Sequence, residues 1–267
     1  MHDHSHTALN QPRRSSSSLL LFILFLLSVG CPFVSRAANT GIFDFLKKKP
    51  VDQYVRIRTE KGECIIRLYN ETPRHRDNFA QLAKKGYYNG TLFHRVIKSF
   101  MIQGGDPDSK SAKAGQLLGD GDLGYRIPAE FNPNLFHKRG VIAAARDDNP
   151  EKASSAVQFY LVQGKVYTDD ELDRVEQKRL NGRKIPPGQR LVYKTLGGTP
   201  FLDQNYTVFG EIVKGIEMVD SIAAVPTDSN DRPLHDIAMQ ISLLKKREIR
   251  KLQKELLQAS FKKKQIM

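Results

Sequence analysis

Apolar and polar residues alternate with a period of two through the start of the chain's body. Val55, Ile57 and Thr59 alternate with Arg56 and Arg58. After Glu60-Lys61-Gly62-Glu63, the residues Cys64, Ile66 and Leu68 alternate with Ile65, Arg67 and Tyr69. Residues two apart share one strand face, so two such runs around a glycine-containing turn predict a β-hairpin. Thr72-Pro73 has the form of an N-cap followed by proline at the first helical position. Phe79, Leu82 and Ala83 supply an apolar stripe, and Gly86 can end that helix. Further strands are predicted at 92–97, 141–145, 158–162 and 207–213. A short helix opens at Gly215 with Ile216, Val219 and Ile222 on one side. Ile237, Met239, Ile241 and Leu243 then mark a last strand. Many short strands with turn residues between them and few helices argue for a mainly β fold, a closed antiparallel barrel.

Residues 165–198 break this rhythm. Thr168-Asp169-Asp170-Glu171 is a capping box, Leu172, Val175 and Leu180 suit a charged helix, and Pro186-Pro187-Gly188 marks a turn. The segment reads as a helical insertion between two barrel strands. Asp169, Asp170, Glu171 and Asp173 fit an acidic helix start better than a metal cluster, because carboxylates favour the positive end of the helix dipole. At the far end, residues 245–267 carry Ile249, Leu252 and Leu256 on one side among lysines and arginines. That pattern predicts an amphipathic helix, read as a solvated helix docked on the barrel or left frayed in preference to contact with anionic lipid or an acidic partner.

The opposite end has a different character. Residues 19–27 read LLLFILFLL, with Arg13 and Arg14 before them. This run is shorter than the ~20 apolar residues of a membrane span. It fits the apolar centre of a secretory signal, with Ser35 and Ala37 placed for cleavage after Ala37; a tether retained through 19–34 is the alternative. Residues 38–50 read as a linker. The expected plan is therefore a signal or anchor at 1–37, a linker, a folded domain at 51–244 and a basic tail at 245–267. An exported protein, in the periplasm, in a secretory lumen or outside the cell, follows from the leader.

Composition narrows the function classes. The chain has 267 residues, 40% of them hydrophobic, enough for a real core. Two cysteines exclude a disulfide-rich scaffold and a cysteine-based zinc module. His2, His4 and His6 fit a polar leader end better than a metal site. No glycine-rich phosphate loop is present, which argues against a nucleotide-driven enzyme. The formal charge is +13, but +7 of it sits in 245–267 and only +4 in 38–244. A nucleic-acid binder should carry its basic residues on the folded face, so no nucleic-acid partner is expected.

The candidate chemistry is concentrated in Phe93-His94-Arg95-Val96-Ile97-Lys98-Ser99-Phe100-Met101-Ile102-Gln103-Gly104-Gly105-Asp106. One guanidinium, a bulky apolar pair and an amide lie within nine positions. If 93–97 is a strand, Phe93, Arg95 and Ile97 share a face, and Phe100, Met101 and Gln103 follow on a second extended piece. This segment resembles the signature of cyclophilins, the peptidyl-prolyl isomerases of β-barrel fold. Gly140-Val141-Ile142-Ala143-Ala144-Ala145, then Gln158-Phe159-Tyr160, then Phe201-Leu202-Asp203 with Val208-Phe209-Gly210, agree with that family in order. The resemblance covers about 51–244 apart from the insertion.

The resemblance implies an eight-stranded barrel with two capping helices, a proline-containing polypeptide as partner, a monomer, and no cofactor or metal. It implies that Arg95 is the catalytic arginine. Phe100, Met101 and Leu202 would wall the proline pocket, with Gln158 and Tyr160 completing it. Gln103 would hold the substrate carbonyl, and Ala145 and Arg146 would pair with substrate backbone. Phe201 stands where drug-sensitive members carry tryptophan, Tyr206 where they carry histidine, Tyr160 where many carry phenylalanine, and Arg146 where asparagine is common. This set and the insertion look similar to some bacterial-type cyclophilins, and the missing indole N–H argues against tight cyclosporin binding.

The residues support the same chemistry directly. Amide resonance opposes rotation of a peptide bond by about 18–20 kcal/mol, while cis and trans X–Pro differ little in energy, so the barrier is what a catalyst must lower. A guanidinium donates hydrogen bonds without giving up its charge, and Arg95 could receive the lone pair that the proline nitrogen regains when the bond is twisted. Two further readings share these features: a non-catalytic module that holds a proline segment, and a membrane-tethered scaffold acting through its insertion and tail. Arg95 favours the enzyme.

Overall fold

A computed structural model describes residues 52–266. The anticipated hairpin is formed by β1 (Gln53–Thr59) and β2 (Gly62–Leu68), paired in antiparallel register with Val55 opposite Ile66. The helix α1 (Pro73–Lys84) follows, then β3 (Phe93–Ile97) and β4 (Met101–Gly104). Short β5 (Arg126–Ile127) pairs with β7 (Ser154–Ser155) in a separate small sheet that the sequence pattern did not reveal. Next along the chain come β6 (Val141–Ala144) and β8 (Phe159–Val162). The insertion holds α2 (Asp169–Arg179) and α3 (Pro187–Thr195), and β9 (Val208–Lys214), α4 (Glu217–Ala223), β10 (Gln240–Leu243) and α5 (Lys246–Ile266) complete the chain.

Eight strands form one antiparallel sheet in the order β10-β1-β2-β9-β6-β8-β4-β3. The expected closed barrel is met only in part, because the edge strands β3 and β10 share no ladder. Their flanks touch through an isolated bridge, Leu92 opposite Ala238, and through backbone hydrogen bonds from Phe93 to Ile237 and from Met239 to Thr91. The sheet is therefore described as curled.

Strand alternation sorts side chains between two apolar clusters. Ile57, Ile66, Ile102, Ile142, Phe159, Leu161 and Phe209 face an inner core that Phe79 and Leu82 of α1 and Val219 and Ile222 of α4 cover. Met101, Val141, Ala143, Tyr160 and Val208 point to the other face and form a second cluster. β6 and β8 are consequently buried on both sides. The free thiol of Cys64 lies in the inner core, where burial pushes its pKa up to about 12, so it is chemically inert.

Two local expectations are corrected. Thr72 occupies the N-cap of α1, but its hydroxyl makes no capping bond. Glu130 does that work from another segment, accepting from the backbone N–H groups of Arg74 and His75. A carboxylate there also meets the positive end of the helix dipole. Pro186-Pro187-Gly188 is not a plain turn, since Pro187 is the first residue of α3. Its missing N–H is no loss at that position.

The insertion has its own core of Tyr167, Leu172, Leu180, Ile185 and Tyr193. The capping box is present, with Thr168 accepting from the Glu171 N–H and Glu171 accepting from the Thr168 N–H. Chain entry and exit meet at Gly164 and Gly198. A Cβ on Gly164 would lie 2.4 Å from the Gly198 Cα, and Gly164 has φ +67°, so only glycine permits this crossing. The tail helix α5 docks through Ile249, Leu252 and Leu256 on Tyr54, Ile65 and Leu244, the docked one of the two forms expected of it. Among the described residues, no helix is long and apolar enough to cross a membrane. The apolar run at 19–34, the leader and the linker lie outside the described residues.

Candidate active site

A bulge places Arg95. Phe93 pairs with Gly104 and Arg95 with Gln103, so His94 is an extra residue in β3. The bulge shifts the phase of the strand. Phe93 and Val96 enter the inner core, and Arg95 emerges on the outer face beside the second cluster. The expectation that Phe93 and Arg95 share a face is thus overturned, and the insertion of His94 is the reason.

On that outer face Arg95, Phe100, Met101, Gln103, Ala145, Arg146, Tyr160, Leu202 and Tyr206 line a pocket of about 120 Å³. Met101 and Tyr160 form its buried floor, and Phe100, Leu202 and Tyr206 are partly buried walls. Phe201 is not part of the lining. It stands behind Phe100, with ring centroids 5.5 Å apart. Gln158 lies in a second, adjoining cleft of about 360 Å³, which shares Gln103, Ala145 and Arg146 with the first.

Gln158 fixes the orientation of Gln103. The Gln158 amide donates to the carbonyls of Gly119 and Gly121, at 2.7 and 2.8 Å, so its oxygen is left to accept from Gln103 Nε2 at 3.1 Å. Gln103 Oε1 then faces Arg95 Nη1 at 3.5 Å, and one N–H of Gln103 remains free. Asp231 approaches Arg95 Nε at 3.6 Å from the loop after α4, whose carbonyl also accepts from the Val96 N–H. The Arg95 side chain is 42% exposed, so its guanidinium is held at two edges yet reachable.

The backbone next to the pocket is unevenly committed. Ala145 donates to Gln158 and accepts from Ser155. No backbone hydrogen bond involves Arg146 among the described residues, which makes Arg146 the open edge. Its side chain donates to the carbonyls of Asn205 and Asp147 and lies over the Tyr206 ring at 4.7 Å.

Beneath the floor runs a buried polar chain that sequence reasoning missed. Tyr160 Oη meets His137 Nε2 at 2.9 Å, His137 Nδ1 meets Asp203 Oδ1 at 2.9 Å, and Tyr193 Oη donates to Asp203 Oδ2 at 2.7 Å. The chain ties the pocket to α3 of the insertion. Asp203 was visible inside the Phe201-Leu202-Asp203 motif, but nothing in its neighbours announced His137 or Tyr193.

His94 itself is buried, and neither ring nitrogen has a hydrogen-bond partner among the described residues. Burial, partly offset by Asp106, pushes its pKa down to about 4. Burial also lowers that of His75. The unfolded chain therefore binds more protons than the folded one from about pH 6.5 down to about 4, and stability falls as pH drops through that window. The urea midpoint is expected to be lower at pH 5 than at pH 7, with a shallower dependence in His94→Gln. Equal slopes in the two proteins would remove His94 from this account. Among the described residues no group of three His, Cys, Asp or Glu side chains could hold a metal ion.

Comparison with known proteins agrees with this fold. The family described as cyclophilin type peptidyl-prolyl cis-trans isomerase/CLD matches residues 54–242. A peptidyl-prolyl cis-trans isomerase of Staphylococcus aureus (strain COL) is 35% identical over 185 residues, covering 69% of this chain and 87% of that protein. One from Staphylococcus saprophyticus is 34% identical, over 68% of this chain and 87% of its own length. A crystal structure of a Cryptosporidium parvum cyclophilin type isomerase aligns with a TM-score of 0.54 and 25% identity, covering 73% of this chain and 99% of that one. The same protein in the presence of the dipeptide Ala-Pro aligns at 0.51 and 26%, over 72% and 99%. The family match, these relatives and the curled antiparallel sheet together define an isomerase of the cyclophilin type. This chain belongs to the cyclophilin-type peptidyl-prolyl cis-trans isomerase family.

Proposed function

We propose that Arg95 catalyses rotation about X–Pro bonds of polypeptides bound across the outer face of the sheet. The observation that carries this reading is the approach of Arg95, oriented by Gln103 and Asp231, to a slot floored by Met101 and Tyr160. The proline ring enters that slot. The free N–H of Gln103 and the open backbone of Arg146 hold the residue before the proline. Rotation frees the lone pair on the proline nitrogen, and the Arg95 guanidinium donates to it. That bond is absent in the planar ground state, so it stabilises the twisted state selectively. The Ala-Pro dipeptide with the Cryptosporidium parvum relative supports a proline-containing ligand.

The bridge between Leu92 and Ala238 supports the finer reading of a barrel closed at one point. The leader at 1–37 supports export, with clients that fold outside the cytoplasm, and the run at 19–34 supplies a tether if it is retained. Fractionation with identification of the mature N-terminal residue tests export and cleavage. Exchange spectroscopy on an X–Pro peptide tests catalysis. The full-length chain is expected to broaden or cross-link the cis and trans resonances at catalytic concentrations. Binding without exchange would sink the enzyme reading in favour of a holding module.

A further inference from the structure

The insertion reaches the substrate groove through a stack of three side chains. Phe100 lines the proline slot, Phe201 lies against Phe100 with centroids 5.5 Å apart, and the Arg179 guanidinium sits 4.9 Å from the Phe201 ring centroid. Arg179 is the last residue of α2. Its helix is held in place from below. Arg183 donates to the Asp203 carbonyl at 2.8 Å, and Tyr193 donates to the Asp203 carboxylate, so the segment bearing Phe201 and Leu202 is pinned to the insertion.

Four cations of the insertion are spent on its own carboxylates. Arg190, Lys194, Lys165 and Lys184 each reach a carboxylate of α2. Arg179 is exposed, and the Phe201 ring is the partner its guanidinium meets, with no carboxylate paired to it among the described residues. Stacking on an aromatic face leaves the outward edge of a guanidinium free to donate in its plane. A weakly hydrated, pre-oriented donor fork of this kind fits a carboxylate.

We propose that Arg179 forms a cationic subsite of the peptide groove, selecting an acidic side chain two or three residues after the proline. The direction follows from the proposed function, on which this inference rests. Gln103 and Arg146 take the residue before the proline, so the chain leaves on the side of Phe100 and Phe201. An extended peptide advances about 3.3 Å per residue, which brings its second or third residue past the stack. The insertion thereby sets which proline sites are served and leaves the rotation chemistry to the sheet.

The test uses the full-length chain and peptides that differ only at the second and third positions after proline, carrying Glu, Gln or Lys there. The preference for Glu over Lys is read both as a ratio of kcat/KM by exchange spectroscopy and as a ratio of Kd by titration. At low salt the ratio is expected to be about two- to fivefold, the size of a solvent-exposed ion pair, and to shrink in 0.5 M salt. Arg179→Glu should invert it, and Arg179→Lys should keep part of it. Each ratio is taken within one protein preparation, so a loss of folded material cancels. An unchanged preference in Arg179→Glu overturns the subsite. Peptides that show the Kd preference without any turnover overturn the isomerase reading while supporting the subsite.

Discussion

Arg95→Ala is expected to lower kcat/KM for an X–Pro peptide by about 10²–10³-fold, the cost of removing one pre-oriented donor from a developing charge. The fold should barely register the change. The side chain is 42% exposed, its contacts to Asp231 and Gln103 are long, at 3.6 and 3.5 Å, and surface substitutions of this kind stay within about 0.5 kcal/mol. The decisive pair of measurements is turnover and peptide Kd on the same protein. A role confined to the twisted state predicts that Kd moves little while turnover falls. Arg95→Lys separates charge from geometry, since an ammonium keeps the charge but loses the planar fork that Gln103 and Asp231 position. Full activity in Arg95→Lys would show that a nearby positive charge suffices and that orientation contributes nothing.

Asp203→Ala is expected to give the largest loss of stability, about 3–5 kcal/mol. Its carboxylate accepts from the backbone N–H of His137, the ring of His137 and the hydroxyl of Tyr193, all buried. Truncation leaves three donors without an acceptor, and each orphaned buried group costs about 1–3 kcal/mol. The consequence should spread to both ends of the polar chain. Tyr160 loses the orientation of its partner at the floor of the slot, and Tyr193 loosens α3. Asp203→Asn keeps one acceptor oxygen and should fall between the two. Chemical denaturation provides the measurement, and a shift under 1 kcal/mol in Asp203→Ala would mean that water replaces the carboxylate at no great cost.

Much of this molecule could be read from local pattern. The hairpin of β1 and β2, the capping box of α2 and the docked face of α5 each follow from periodicity within a few turns or one strand pair. What escaped depended on partners far along the chain. Glu130 caps α1 from a position 56 residues beyond Arg74. His137 reaches Asp203 across 66 residues. The bulge at His94 escaped for another reason: alternation is a rule about faces, and one extra residue reverses the faces without altering the composition. The pocket residues Arg95, Phe100, Met101, Gln103, Tyr160 and Leu202 were found through the order of motifs. The place of Phe201 behind the wall, and the commitment of the Ala145 backbone to its own sheet, needed coordinates.

The touching glycines at 164 and 198 give the insertion an unusual independence. Closing a loop costs entropy that grows only slowly with its length, and here the ends are clasped whatever lies between them. To β8 and the segment before β9, the intervening helices behave as one tight turn. Descendants of this gene could therefore rewrite the outward parts of that stretch, in length or in charge, while Tyr193 and Arg183 keep their hold on Asp203, and present new clients to an unaltered rotor.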